Sequence, residues 1–304
     1  MNATKRFIIT TAAILGLVAT NSPAQATTLN FLEDWVLNIA NAGESLTGAV
    51  IGVDQVTFKG ITHVSVNDLD QNGYASVYDT FKVDGLLYAT GFTGGGSALN
   101  SEGLNNTGTG QGYEFTTKFS IDGLFTSVNP TNGTLNFSHP SIGVLDLYID
   151  NLKDTTGVQA NTISALGFKD GTNVANFSAV PNAPGTGGVF DPSVIDGSDD
   201  AFFTLVNQLA GVFQKPLGTN LDDTLAGIWT RSNFSAQQLT TIPNATNWEL
   251  EFGVGSAGND GLLNFFVDEN ADARVVTPEP GTLALLGVGL FGLAIFGKRR
   301  MSNK

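Results

Sequence analysis

Tyr113-Glu114-Phe115-Thr116-Thr117-Lys118-Phe119-Ser120-Ile121-Asp122 is the stretch that decides the fold. Tyr113, Phe115, Phe119 and Ile121 alternate with Glu114, Thr116, Lys118, Ser120 and Asp122, a period of two that predicts a strand with one buried face. Val56, Phe58, Val64 and Val66 keep one parity along another stretch, with a disturbance at Gly60-Ile61 that predicts a bulge or bend. Leu145, Leu147 and Ile149 make a third strand, and Trp248, Leu250, Phe252 and Val254 a fourth. Leu135 with Phe137, and Leu263 with Phe265 to Val267, are shorter candidates. Gly, Asn, Asp and Thr cluster between these runs, as antiparallel turns require. The expected fold is all-β, a jelly-roll-like antiparallel β-sandwich with one or two short helices.

A partial echo fits that picture. Phe81-Lys82-Val83-Asp84-Gly85-Leu86-Leu87 recurs as Phe119-Ser120-Ile121-Asp122-Gly123-Leu124-Phe125, either as sister strands of one sheet or as a coincidence in a Gly-rich chain. One segment departs from the β pattern. Phe202, Leu205, Val206, Leu209, Ala210 and Phe213 share a helical face after Ser198, Asp199 and Asp200, which predicts a helix from about Ala201 to Phe213, although Phe202-Phe203 also suits a buried strand. Phe31 to Ala40 is ambiguous in the same way. Gly91 to Gly112 and Ser178 to Gly197 read as long loops, and the second is a candidate divider between two halves of the body.

Both ends of the chain carry signals. Lys5 and Arg6, an apolar run from Phe7 to Ala19 and Ala24-Gln25-Ala26 predict a signal peptide over residues 1–26, removed by signal peptidase. At the other end Pro278-Glu279-Pro280 precedes an apolar run from Gly281 to Gly297 and then Lys298-Arg299-Arg300. Seventeen helical residues reach about 25 Å, close to the ~30 Å hydrocarbon core, so a transmembrane helix over 281–297 is expected. The basic triplet keeps to the cytoplasmic side. Tripeptide, span and triplet together resemble the PEP-CTERM sorting signal of bacteria that make exopolysaccharide; an ordinary C-terminal anchor is the alternative. The resemblance implies an exosortase, a membrane peptidase acting near the tripeptide, a transient inner-membrane anchor, and a final place at the cell surface or outside the cell. The strand-rich body with its Asp-Asp-Ala-Phe-Phe stretch also looks like flocculation-linked proteins of that sorted group.

Between residues 27 and 277 the chain keeps 8 Lys and Arg and 27 Asp and Glu, a formal charge of minus 19. Such a field repels phosphate backbones, so no nucleic-acid partner is expected, whereas cations and glycans are natural counterparts. There is no cysteine, so packing alone must hold the fold.

Asp68-Leu69-Asp70-Gln71-Asn72-Gly73-Tyr74-Ala75-Ser76-Val77-Tyr78-Asp79 carries the clearest local chemistry. Oxygen ligands at positions 1, 3 and 5, Gly at 6 and a carboxylate at 12 match the calcium loop of EF-hands. Asp68, Asp70 and Asn72 would supply side-chain oxygens, Tyr74 its carbonyl, Ser76 a water or hydroxyl, and Asp79 the closing carboxylate. The departures are Asp for Glu at position 12 and strands for helices at the flanks. The alternative is a solvated acidic turn.

Other acidic groups, Asp199-Asp200, Asp222-Asp223 and Asp268 with Glu269 and Asp272, read as solvated loop charges. Asp146 and Asp150 share a strand face and could serve a glycosidase only at a suitable separation. His63 has the parity opposite Val64 and Val66 and is expected in solvent; His139, before Pro140, belongs to a turn. No catalytic or organic-cofactor residues are assigned. The expected function is that of an exported, non-enzymic adhesive or exopolysaccharide-associated component of flocs or biofilm, with calcium as its candidate cofactor. An extracellular carbohydrate-active hydrolase or lectin-like sugar-binding protein is the rival.

Overall fold

The computed structural model describes residues 30–43, 47–100, 113–150, 168, 171–183, 186–215, 221, 227–238, 248–249, 252–253, 256, 258 and 263–277. The predicted signal peptide, the sorting tripeptide, the basic triplet Lys298-Arg299-Arg300 and the span Gly281–Gly297 lie outside them. Among the described residues no helix is long and apolar enough to cross a membrane.

The chain is all-β and antiparallel. In order it forms β1 (Asn30–Phe31), β2 (Trp35–Asn38), β3 (Ala49–Val53), β4 (Gln55–Asn67), β5 (Thr80–Gly94), β6 (Ser97–Ala98), β7 (Glu114–Val128), β8 (Leu135–Ser138) and β9 (Val144–Asp150). There follow β10 (Thr172–Ala179), β11 (Gly187–Asp191), β12 (Asp196–Gln208), β13 (Phe213–Gln214), β14 (Gly227–Ser235) and β15 (Asn264–Thr277). The sheet folds onto itself as a sandwich does, and its edges close. β15, β4, β5 and β7 pair in turn, β7 pairs β9, β9 pairs β10, β10 pairs β12, and β12 returns through β14 to β15. At the other end of the same long strands β8 and β11 replace β9 and β10 between β7 and β12. Closure leaves the long strands without free edges, and eight strands enclose an interior that side chains nearly fill.

Alternation places the core. Val56, Phe58, Phe115, Phe119, Ile121, Leu145, Leu147 and Ile149 meet Ala201, Phe203, Ile228, Ala271 and Val275 in one cluster, capped by Trp35, Leu37 and Val50 of the small sheet β13-β2-β3. Val64, Val66, Phe81, Phe125, Phe137, Phe190, Phe265 and Val267 form a second cluster towards the β8–β11 end, with Ala75 and Val77 of the 68–79 loop packed onto it. A third lies on the opposite face of β4, β5 and β15: Ile61, Leu86, Tyr88 and Phe266 under Phe168 and Trp248.

That third cluster explains several departures from the sequence reading. Trp248, Glu249 and Phe252 are helical rather than strand. Trp248 and Phe252 are four apart, a spacing that fits both periods; their rings lie tilted at 4.8 Å, and that of Trp248 meets Phe266 edge-on at 5.0 Å. His63 is buried, not solvated, because this segment covers it; its Nε2 lies 2.6 Å from the Gly258 carbonyl and its ring 4.6 Å from that of Phe266. Glu114 and Thr116, on the polar side of β7, are buried too, and the Thr116 hydroxyl donates to the Phe168 carbonyl.

The helix expected over Ala201–Phe213 is instead the second part of the strand β12, a turn after Gln208 and the start of β13. Ala201 and Phe203 point inward, whereas Val206 is 63% exposed, so no single helical face is buried. Pairing with β14 on one side and with β11 and β10 on the other overrides the helical spacing. Asp199, Asp200, Asp268, Glu269 and Asp272 are accordingly strand residues rather than loop charges. Phe31 to Ala40 resolves into short strands and a 3-10 turn at Ile39–Asn41. The 178–197 stretch contains β11, and the described part of the first glycine-rich stretch is the end of β5 turning into β6. The irregularity in β4 falls between Thr57 and Phe58, not at Gly60. Gly60 stays in register with Leu87 and Glu269, and the position needs glycine because a Cβ there would lie 2.0 Å from the Leu86 carbonyl oxygen.

Candidate functional site

The 68–79 loop joins β4 to β5 at the β8–β11 end of the barrel. Its lower side is anchored: Ala75 is buried, the Tyr78 N–H donates to the Phe125 carbonyl, and the Phe125 N–H donates to Asp79. Gln71 and Gly73 take positive φ (58° and 82°), which turns the chain sharply enough to fold its acidic side chains inward. The carboxylates of Asp68, Asp70 and Asp79 each offer an oxygen within 4.8 Å of the others.

Donors of the loop itself hold these groups in place. The Gly73 N–H donates to Asp68 Oδ2 at 2.7 Å and the Asn72 N–H to Asp68 and Asp70 at 3.2 Å. The Ser76 hydroxyl donates to Asp79 Oδ2 at 2.8 Å and to Asp70 Oδ2 at 3.2 Å. The Leu69 and Ser76 N–H groups donate to Asp79, whose side chain is buried. Asn72 turns its Nδ2 to Asp70 and its Oδ1 to the Tyr74 N–H. The Gly73 N–H, opposed by a smaller effect of burial, holds the Asp68 carboxyl below the usual carboxylate range. The arrangement therefore gathers oxygens of three acidic side chains on a preformed turn, the ligand type a hard cation uses. Leu69, Tyr74 and Tyr78 project outward from the same loop, Tyr78 at a positive φ of 78°.

A second polar group lies inside the barrel, where sequence reasoning placed none. His139, at the end of β8, is buried; its Nε2 lies 2.8 Å from Asp199 Oδ1 and its Nδ1 3.0 Å from the Asp122 carbonyl. Both nitrogens thus face acceptors, the arrangement of an imidazolium. Burial alone would lower the His139 pKa, but the Asp199 carboxylate and the Asp122 carbonyl outweigh it and the net shift is upward. Glu269 of β15 is buried as well, accepts from the hydroxyls of Thr62 and Ser232, and is pushed up to about 7 by desolvation, with Asp199 adding to the rise. Asp199, Ser232, Glu269 and Phe119 border two cavities of about 50 and 40 Å³, one against each apolar cluster. The available signal was parity, since Glu269 falls on the inward row of Val267, Ala271 and Val275.

Residues 276–300 match the PEP-CTERM protein-sorting motif, which contains the predicted Pro278-Glu279-Pro280 and Lys298-Arg299-Arg300. No curated protein sequence matches the chain. Residues 276–300 thus carry a PEP-CTERM sorting signal, which implies an exported surface protein that passes through the membrane and is processed by an exosortase.

Proposed function

We propose that the exported barrel is a non-enzymic adhesive component of the extracellular matrix, associated with exopolysaccharide in flocs or biofilm, and that calcium held by the 68–79 loop supports the association. The convergence of the Asp68, Asp70 and Asp79 oxygens within 4.8 Å carries the proposal. Three carboxylates on a loop fixed by its own N–H groups suit a weak extracellular site in about the 0.1–1 mM range of dissociation constants. Calcium there would neutralise part of an acidic surface and leave a cation facing glycan oxygens.

The hydrolase reading needs a raised carboxyl in a cleft that admits a sugar. The buried acid Glu269 is raised, but the cavities beside it measure about 50 and 40 Å³. An apolar cavity that takes benzene has roughly 150 Å³, so neither of these two cavities has room for a sugar ring, which favours the non-enzymic reading. We therefore give Glu269 and His139 a structural role.

Calorimetric titration of residues 27–277 with calcium tests the proposal. The expected result is saturable binding near millimolar calcium that is lost in Asp68→Ala and in Asp70→Ala, both at exposed or half-buried positions that leave the barrel intact. Absence of heat in the wild type at several millimolar calcium, or unchanged binding in both variants, refutes the metal site.

A further inference from the structure

Arginine is scarce in the exported body: of the five in the chain, only Arg231 and Arg274 lie between residues 27 and 277. Both line the same pocket of about 160 Å³ on the outer face of β14 and β15, together with Phe31, Gln55, Trp229 and Asp272. Register explains the meeting. Phe202, Trp229 and Arg274 are directly opposed across β12, β14 and β15, and so, two residues on, are Asp200, Arg231 and Asp272, with Thr57 of β4 continuing that row. Alternation sends both rows outward while Ile228, Ala271 and Val275 fill the core.

The polar groups are positioned but not exhausted. Arg231 donates from Nε to Asp200 Oδ1 at 2.9 Å, and Arg274 donates from Nε and Nη2 to Gln55 Oε1 at 3.0 and 2.7 Å. Among the described residues the two Nη groups of Arg231 and Nη1 of Arg274 have no protein partner, and both side chains reach solvent. Asp272 takes the Thr57 hydroxyl on Oδ1. The Phe31 ring covers the Arg274 guanidinium at 5.4 Å and adds, with Trp229, an apolar wall.

The charges decide the ligand class. Arg231 and Arg274 are balanced by Asp200 and Asp272, so the pocket is neutral on a body of formal charge minus 19. A carboxylate-bearing sugar would meet Asp272 and that field, whereas an uncharged hydroxyl, at once donor and acceptor, finds guanidinium donors beside carboxylate and amide oxygens. The volume of about 160 Å³ is close to the roughly 150 Å³ of a closed cavity that takes benzene, and because this pocket opens to solvent the hydroxyls of a ring seated in it can project outward. We infer that the pocket formed by Trp229, Arg231, Asp272, Arg274, Gln55 and Phe31 binds one neutral pyranose ring of an extracellular polysaccharide. The inference rests on the polysaccharide-associated function proposed above and gives it a site separate from the calcium loop.

Affinity electrophoresis of the full chain in a sugar-free zwitterionic detergent tests it, through gels containing a neutral β-glucan, a galactan, a mannan or, separately, polygalacturonate. At least one neutral glycan is expected to retard the wild type. Arg231→Gln with Arg274→Gln should weaken that retardation about tenfold, the loss of hydrogen bonds from charged donors. Asp68→Ala in EDTA should leave the pocket's share of the retardation in place. Equal retardation of wild type and the double variant, or stronger retardation by polygalacturonate, overturns the inference. Retardation that survives the double substitution but vanishes in EDTA removes the pocket and keeps the calcium-supported adhesion, while no retardation by any glycan, with or without calcium, removes both.

Discussion

Raising the pH from 5 to 8.5 is expected to lower the thermal midpoint of the barrel by roughly 6–12 °C, an effect of about 3 kcal/mol at 2–4 °C per kcal/mol for a chain this long. The cause is proton uptake by the fold. Glu269 sits near 7 in the barrel against 4.5 in the unfolded chain, a difference worth about 3 kcal/mol. Above pH 4.5 the unfolded chain releases this proton while the folded one keeps it, so stability falls as the pH climbs towards 7 and levels off beyond. His139 acts in the same direction. Its raised pKa contributes stability that is complete below 6.5 and lost as the pH passes through the folded value. The groups facing the pair are Asp199 on β12, Thr62 on β4, Ser232 on β14, the Asp122 carbonyl on β7 and the neighbouring Asp268, itself raised by burial, and none is a cation that would hold Glu269 ionised. Asp68, with its lowered pKa, loses its contribution only as the pH falls below the usual carboxylate range.

Thermal or urea unfolding of wild type and Glu269→Gln at pH 5, 7 and 8.5 is the measurement. The amide keeps an acceptor for the Thr62 hydroxyl and cannot ionise. The variant should show a flatter profile and exceed the wild type at pH 8.5, with His139 supplying the remaining slope. A wild-type midpoint that is constant or rises between pH 5 and 8.5 refutes this account.

The parity of Val56, Phe58, Val64 and Val66, and of Phe115, Phe119 and Ile121, was legible because burial on one face leaves a period of two in the residues themselves. Ring closure was not, since whether β5 meets β7 and β10 meets β12 is decided by pairings between segments far apart in the chain. The same limit hid the interior polar layer. Asp199 and Glu269 look like ordinary surface acids until the strands carrying them are known to turn that row inward. Trp248 and His63 failed for a related reason, because period alone says nothing of a second layer packed outside the barrel. The convergence of Asp68, Asp70 and Asp79 was legible as spacing, as the geometry of the 68–79 loop depends on residues within 12 positions of one another. Arg231 and Arg274 meet only through the β14–β15 register.

Substituting Gly123 by Ala is expected to destabilise the barrel by about 1–3 kcal/mol, at the upper end of that range, and Gly85→Ala by less. The partial repeat supplies the reason. β5 and β7 pair antiparallel about Val83 and Ile121, which brings Phe81 opposite Gly123 and Phe119 opposite Gly85. Each copy thus lays its phenylalanine over the other copy's glycine. A Cβ on Gly123 would lie 2.0 Å from Phe81 Cζ, and one on Gly85 would lie 2.1 Å from Phe119 Cε1. Phe81 is wedged between Phe125 and Phe137, with ring centroids at 4.7 and 5.1 Å, and has little room to turn. Phe119 borders both interior cavities and can yield into them, which softens the clash at Gly85. Double-mutant cycles separate this from a general cost of replacing glycine in a strand. Phe81→Ala alone should cost about 3–5 kcal/mol through the cavity it leaves. In that background Gly123→Ala should cost nothing further or recover part of the loss, because the ring it strikes is gone, and the coupling should exceed about 1 kcal/mol. If the penalty of Gly123→Ala is the same with and without the Phe81 ring, the two halves of the repeat do not support one another and the echo in the sequence is a coincidence.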